Sequence, residues 1–167
     1  MKTRCSAVCL AVVFVSAVFI QGCAQKPALD LQKVADKIIQ AMNSGDPVAV
    51  ANMYAPDAVM IQPDQSAPVR GRDALLEYYT VAYKHMPDFK VDMAMVLFSG
   101  ETIVFEGLSH GTFSAPLSTP EGEVPPTGQE VRLKFAMFAK INADGLIAED
   151  RSYFDNLGYM KQLGVIK

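Results

Sequence analysis

The chain has 167 residues, half of them apolar, which suffices for one domain with a real core and leaves no room for two. Its formal net charge is -3 and it has no basic cluster, so it lacks the Lys and Arg density that neutralises phosphates, and no nucleic-acid partner is expected. It has two histidines, no His-Glu-x-x-His run and no glycine-rich phosphate loop after a strand, so neither a metal nor a cofactor is expected.

The N-terminus reads as an export signal. Lys2 and Arg4 form a short positive head, residues 5–20 are apolar or small, and Ile20-Gln21-Gly22-Cys23 follows. The stretch is short for a membrane span of about 20 residues and suits the apolar region of a secretory signal. A small residue before Cys resembles a bacterial lipoprotein processing site, in which the Cys becomes the mature N-terminus and carries lipid. A plain signal peptide or an uncleaved anchor are the alternatives. The expected division is 1–22 signal peptide, 23–29 lipid-anchored tether and 30–167 domain. The protein is then exported and held on the periplasmic or cell-surface side of a membrane through Cys23. Cys5 and Cys9 lie in the leader, so the mature domain would hold neither thiol nor disulfide. With Lys2 and Arg4 gone, 13 bases face 18 acids, a net of -5.

Asp30 is placed to cap a helix running to about Ser44, with Leu31, Val34, Ala35, Ile38 and Met42 on one stripe. Asp46-Pro47 opens a short helix to about Tyr54. Residues 58–62 form a short strand, and 63–71 a polar turn. Asp73 is expected to cap a third helix through His85, with Leu75, Leu76, Tyr79, Ala82 and Met86 on one side.

The period then changes. Phe89, Val91, Met93, Met95 and Leu97 alternate with their neighbours as in a strand. Further strands are expected over 102–113, 131–141 and 146–154, with a Pro/Gly-rich loop at 116–128. Val131, Leu133, Phe135, Met137 and Ala139 share one face of the third of these. Asn142-Ala143-Asp144-Gly145 is a hairpin turn, because Asp-Gly tolerates positive φ. Asp155 caps a last helix carrying Leu157, Met160 and Leu163. Helices followed by consecutive strands indicate an α+β domain.

The order α-α-β-α-β-β-β-β resembles the NTF2-like cone, a curved antiparallel sheet packed on N-terminal helices. Pro125-Pro126-Thr127-Gly128, Val131, Asp144-Gly145-Leu146-Ile147, Tyr153-Phe154-Asp155 and Gln162-Leu163-Gly164 together resemble the SnoaL-like polyketide and ester cyclases. The resemblance implies an Asp acid/base in the last strand and a His in the strand before. Counted back from Gln162-Leu163-Gly164, the Asp position falls on Ser152 and the His position on Met137 or Phe138. A further His of many relatives falls on Phe113, in Gly111-Thr112-Phe113-Ser114-Ala115. The implied pocket is more apolar than a cyclase pocket, lined by Phe113, Phe135, Met137, Ser152, Phe154 and Tyr79.

Two candidates for proton transfer remain. Asp150 shares a strand face with Ser152 and Phe154, and burial in an apolar cone would raise its pKa into a working range. The alternative is an ion pair with Arg132 or Lys134 across the hairpin. His110 falls on the opposite face from Phe113 by strand parity, where it reads as a surface or interface residue unless a bulge shifts the register. Three functions stay open: a binder of a small hydrophobic molecule, an enzyme moving a proton on a small hydrophobic carbonyl compound, and a dimerising module pairing through the outer sheet face.

Overall fold

The computed structural model describes residues 29–119 and 122–166. The leader and Cys23, with its expected lipid, lie outside the described residues. Helix α1, Leu31–Met42, starts where the Asp30 side chain accepts a hydrogen bond from the Lys33 amide, and it buries Val34, Ala35, Ile38 and Ala41. Beyond its end, Asn43 donates to the Val91 carbonyl and accepts from the Val91 amide, which ties the helix to the sheet. Helix α2, Pro47–Ala51, is capped by Asp46 through the Val48 amide. Strands β1, Tyr54–Ile61, and β2, Val69–Arg70, precede α3, Arg72–His85.

The cap expected of Asp73 is not made. Gly71 occupies the cap position with φ 85, and Asp73 sits inside the first turn, where a negative charge favours the helix dipole. Arg72 donates twice to the Tyr54 carbonyl, at 2.9 and 2.6 Å, and fastens this helix start to β1.

The second half contains β3, Lys90–Ser99, β4, Thr102–Thr112, β5, Leu117–Thr119, β6, Gly122–Val124, β7, Glu130–Ile141, β8, Ile147–Phe154, and α4, Asn156–Gln162. Six strands form a curved sheet in the order β2-β1-β8-β7-β4-β3, and β5 and β6 make a separate hairpin inside the expected loop. The sheet is mixed, not antiparallel throughout, because β1 runs parallel to β8. The α+β class and the cone-like curvature match the expectation.

The alternation expected along β3 holds only as far as Met93. A bulge at Ala94 shifts the register, so Met93 faces Gly107 and Met95 faces Glu106. Val96 turns to the core, while Met95 and Leu97 are 41% and 50% exposed. Gly107 is required here: a Cβ on it would stand 2.5 Å from the Asp92 carbonyl oxygen. Along α4, Asp155 caps through the Gly158 amide as expected, but Leu157 is 61% exposed and Leu163 with Tyr159 faces inward.

Candidate functional site

The main core lies between α1, α3 and the concave face of the sheet. Toward β7 and α4 the helix-to-sheet layer opens into a cavity of about 130 Å³. Its sheet wall is built by inward-facing positions of β7 and β8, including Leu133, Phe135, Met137 and Phe154. Period-two alternation puts these on one face, as the sequence indicates. Its helix wall comes from α3, where Tyr79 and Tyr83 lie one turn apart and Tyr78 beside them.

Asp150 and Ser152 supply the polar part of the sheet wall. Asp150 is 1% exposed and stands between Ala139 of β7 and Met60 of β1. Its Oδ2 accepts from the Tyr54 hydroxyl at 2.8 Å and its Oδ1 from the Ser152 hydroxyl at 2.9 Å. The hydroxyls of Tyr54 and Tyr79 are 2.7 Å apart. Since Tyr54 gives its proton to Asp150, Tyr79 donates to Tyr54, and a three-member chain runs from α3 through β1 to β8.

No ion pair neutralises Asp150 among the described residues. Arg132 bonds Glu130 on the outer side of β7, and Lys134 is exposed on the same side, so the hairpin pairing considered for Asp150 does not form. Burial pushes the Asp150 carboxyl from 3.8 up to about 6, with the Tyr54 and Ser152 hydrogen bonds pulling the other way. Tyr54 is raised well above its ordinary value by burial and then by the Asp150 charge.

One expected pocket residue, Phe113, is placed differently, and the His110 imidazole meets exposed carboxylates of the face that strand parity gives it. Phe113 does not line the cavity. It is fully buried in a second cluster with Met86, Val131 and Leu163, against His85, and its backbone still pairs with Gln129 and Gly128 beyond the end of β4. His110 borders the cavity, but its Nε2 lies 3.2 Å from Asp92 Oδ2 and its Nδ1 3.8 Å from Glu130 Oε1. Those exposed carboxylates engage the imidazole, and no hydrogen bond joins it to Asp150 among the described residues. Phe135, Met137, Ser152, Phe154 and Tyr79 line the cavity as expected.

Sequence reasoning missed Tyr54 as a partner of Asp150, and missed Asp64 entirely. Asp64 follows β1 in what reads as a polar turn, and it lines the cavity together with Gln62 and Tyr159. Its Oδ2 accepts from Gln65 at 3.3 Å and lies 3.2 Å from the Tyr78 hydroxyl, whose single proton has a nearer acceptor in Gln62 Oε1 at 2.9 Å. Its Oδ1 is buried with no hydrogen-bond partner, and burial raises its pKa. No sequence signal separates such an Asp from an ordinary turn residue. Among the described residues, no group of three or more His, Cys, Asp or Glu is gathered as metal ligands require, and no helix is long and apolar enough to cross a membrane.

The family model described as SnoaL-like domain matches residues 35–150. No curated protein is significantly similar to the chain. Among solved structures, IdmH, a proposed polyketide cyclase from Streptomyces antibioticus, is 25% identical with a TM-score of 0.65, over 81% of this chain and 99% of that one. A proposed SnoaL-like polyketide cyclase from Jannaschia sp. CCS1 is 19% identical with a TM-score of 0.68, over 86% and 99%. A protein of ketosteroid isomerase-like fold from Catenulispora acidiphila, solved with trimethylamine, is 14% identical with a TM-score of 0.65, over 79% and 92%.

Proposed function

The chain belongs to the SnoaL-like domain family, and from that premise we propose that it is an exported, lipid-anchored protein whose cone binds one small, mostly apolar molecule. The observation that carries this reading is the cavity itself. Its volume of about 130 Å³ is close to the ~150 Å³ of an apolar cavity that accepts benzene. Its walls are mostly aromatic and aliphatic, with polar groups at Asp64, Gln62, the Asp150 cluster, Ser109, His110 and the tyrosine hydroxyls, the usual arrangement of a pocket that holds an apolar body and orients it by a few polar contacts. The trimethylamine in the Catenulispora structure belongs to that protein; at 14% identity the likeness speaks for the fold alone.

Calorimetric titration of the full chain with benzyl alcohol and toluene tests the reading. Met137→Glu places an unpaired charge in the wall and should cost at least tenfold in affinity. Leu133→Trp fills the cavity without burying a charge and should do the same. Failure of the wild type to bind, or unchanged binding in both variants, refutes the pocket.

Proton transfer on a small hydrophobic carbonyl compound is the second reading, favoured by one observation. Asp150 is a buried carboxylate without a cation, and its pKa of about 6 lies where a general base works near neutral pH. The polar positions of the cyclase pattern remain replaced by Ser152, Met137 and Phe113, so Asp150 would act from a neighbouring place on the strand. Pairing of two copies through the outer sheet face is supported by Phe138 and Tyr153, exposed and edge-to-face at 6.0 Å.

A further inference from the structure

We propose that the molecule held in the cone is an amine, with its ammonium group against Asp64 and its apolar body between the α3 tyrosines and the β7–β8 wall. The inference rests on the reading of the cavity as a binding pocket and names the chemistry of its occupant. It starts from charge. Among the described residues the cavity is lined by two carboxylates, Asp64 and Asp150, and by no Lys or Arg. The one basic side chain at its border, His110, is already engaged by Asp92 and Glu130. An anionic ligand would therefore meet only like charge in a low-dielectric space, while a cation would meet two opposite charges.

The hydrogen-bond inventory separates the two carboxylates. Both oxygens of Asp150 already accept from hydroxyls, so it has little to offer a strong donor. Asp64 has one engaged oxygen and one, Oδ1, that is buried and without a partner. A buried acceptor left unsatisfied is costly, and more so when it is charged. A second buried acceptor without a partner, Asn156 Oδ1, is tied to the same turn, though Asn156 is not part of the cavity wall. Asn156 Nδ2 donates 3.0 Å to the carbonyl of Pro63, one residue before Asp64, which fixes which end of the amide is the oxygen. What Asp64 Oδ1 lacks in the cavity wall is a donor, and an ammonium group brings three.

The aromatic surroundings favour the same chemistry. Tyr78 and Tyr159 line the cavity together with Asp64, and the Tyr159 hydroxyl is raised to about 12 by burial first and then by the Asp64 charge. Ring faces attract a desolvated cation as well as apolar carbon. The volume sets the scale of the apolar part at roughly one six-membered ring.

The test compares three probes of one shape, benzylamine, benzyl alcohol and benzoate, titrated calorimetrically into the full chain at pH 7.5. Benzylamine should bind at least tenfold tighter than benzyl alcohol, and benzoate should not bind. Asp64→Asn should reduce the amine preference to within about twofold while benzyl alcohol still binds. In the wild type the preference should fade in acid as Asp64 takes a proton. If benzyl alcohol binds as tightly as benzylamine, the amine is refuted and the pocket stands. If no probe binds, the pocket reading falls and the amine with it. Loss of the preference in Asp150→Asn but not in Asp64→Asn overturns the assignment to Asp64, and the wild-type series decides the amine even if a variant fails to fold.

Discussion

Replacing Asp150 by Asn should stabilise the protein at neutral pH and leave it unchanged in acid. The carboxyl titrates at 3.8 in its ordinary state and at about 6 in the fold, chiefly because burial disfavours the charge. That rise corresponds to ~3 kcal/mol. The folded state holds the proton more tightly, so the stabilising contribution is complete below pH 3.8, declines between pH 3.8 and 6, and is gone above. Asn keeps the shape, accepts from Tyr54 through its oxygen, and donates through its NH2 to a Ser152 hydroxyl that rotates to accept. Urea unfolding followed by circular dichroism, a suitable probe in a chain without Trp, should show the variant ~1–3 kcal/mol more stable at pH 7.5 and equal to wild type near pH 3.5. The difference should grow across the interval between those values. A wild-type profile parallel to that of the variant, or a variant several kcal/mol less stable at pH 7.5, would refute the account of Asp150 as a buried, uncompensated carboxylate. A protein that retains such a cost beside a cavity resembles one that keeps a site at the expense of stability.

Tyr54→Phe deletes the hydroxyl that links Tyr79 to Asp150; it should cost ~1–3 kcal/mol in urea unfolding and move the Asp150 titration, read by carboxyl NMR, further upward. Gly107→Ala drives a Cβ into the Asp92 carbonyl opposite the β3 bulge and should destabilise by ~1–3 kcal/mol; an unchanged urea midpoint would mean that the bulge is not held as described. Any isomerase or cyclase activity found in the protein should drop at least about a hundredfold in Asp150→Asn, and an active enzyme indifferent to that change would exclude Asp150 as its base. Mass spectrometry of protein from a bacterial host should find Cys23 acylated at the mature N-terminus; cleavage elsewhere or an unmodified Cys23 would remove the lipid anchor from the proposal.

What the sequence determined by itself is what short-range chemistry decides. The Asp30, Asp46 and Asp155 caps are read from residues two or three positions apart, and each forms. The inward face of β7 and the shared face of Asp150, Ser152 and Phe154 follow from strand alternation, which needs no knowledge of neighbours. The tertiary structure alone decided the rest, because each such feature depends on a partner far along the chain. The bulge at Ala94 is set by Gly107 across the β3–β4 pair, and it reverses the faces of Met95 and Leu97 that alternation would bury. The parallel pairing of β1 with β8 brings Tyr54 to Asp150, 96 positions away, and turns a possible hairpin ion pair into a carboxylate bonded by hydroxyls. Phe113 is kept out of the cavity by the side chains of Met86, Val131 and Leu163 that pack around it. Asp64 reads as an ordinary turn residue until folding sets it in one cavity wall with Tyr78 and Tyr159 and buries one oxygen without a donor. Burial, and with it the pKa of a carboxyl group, is a property of everything packed around a side chain, and no local pattern encodes it.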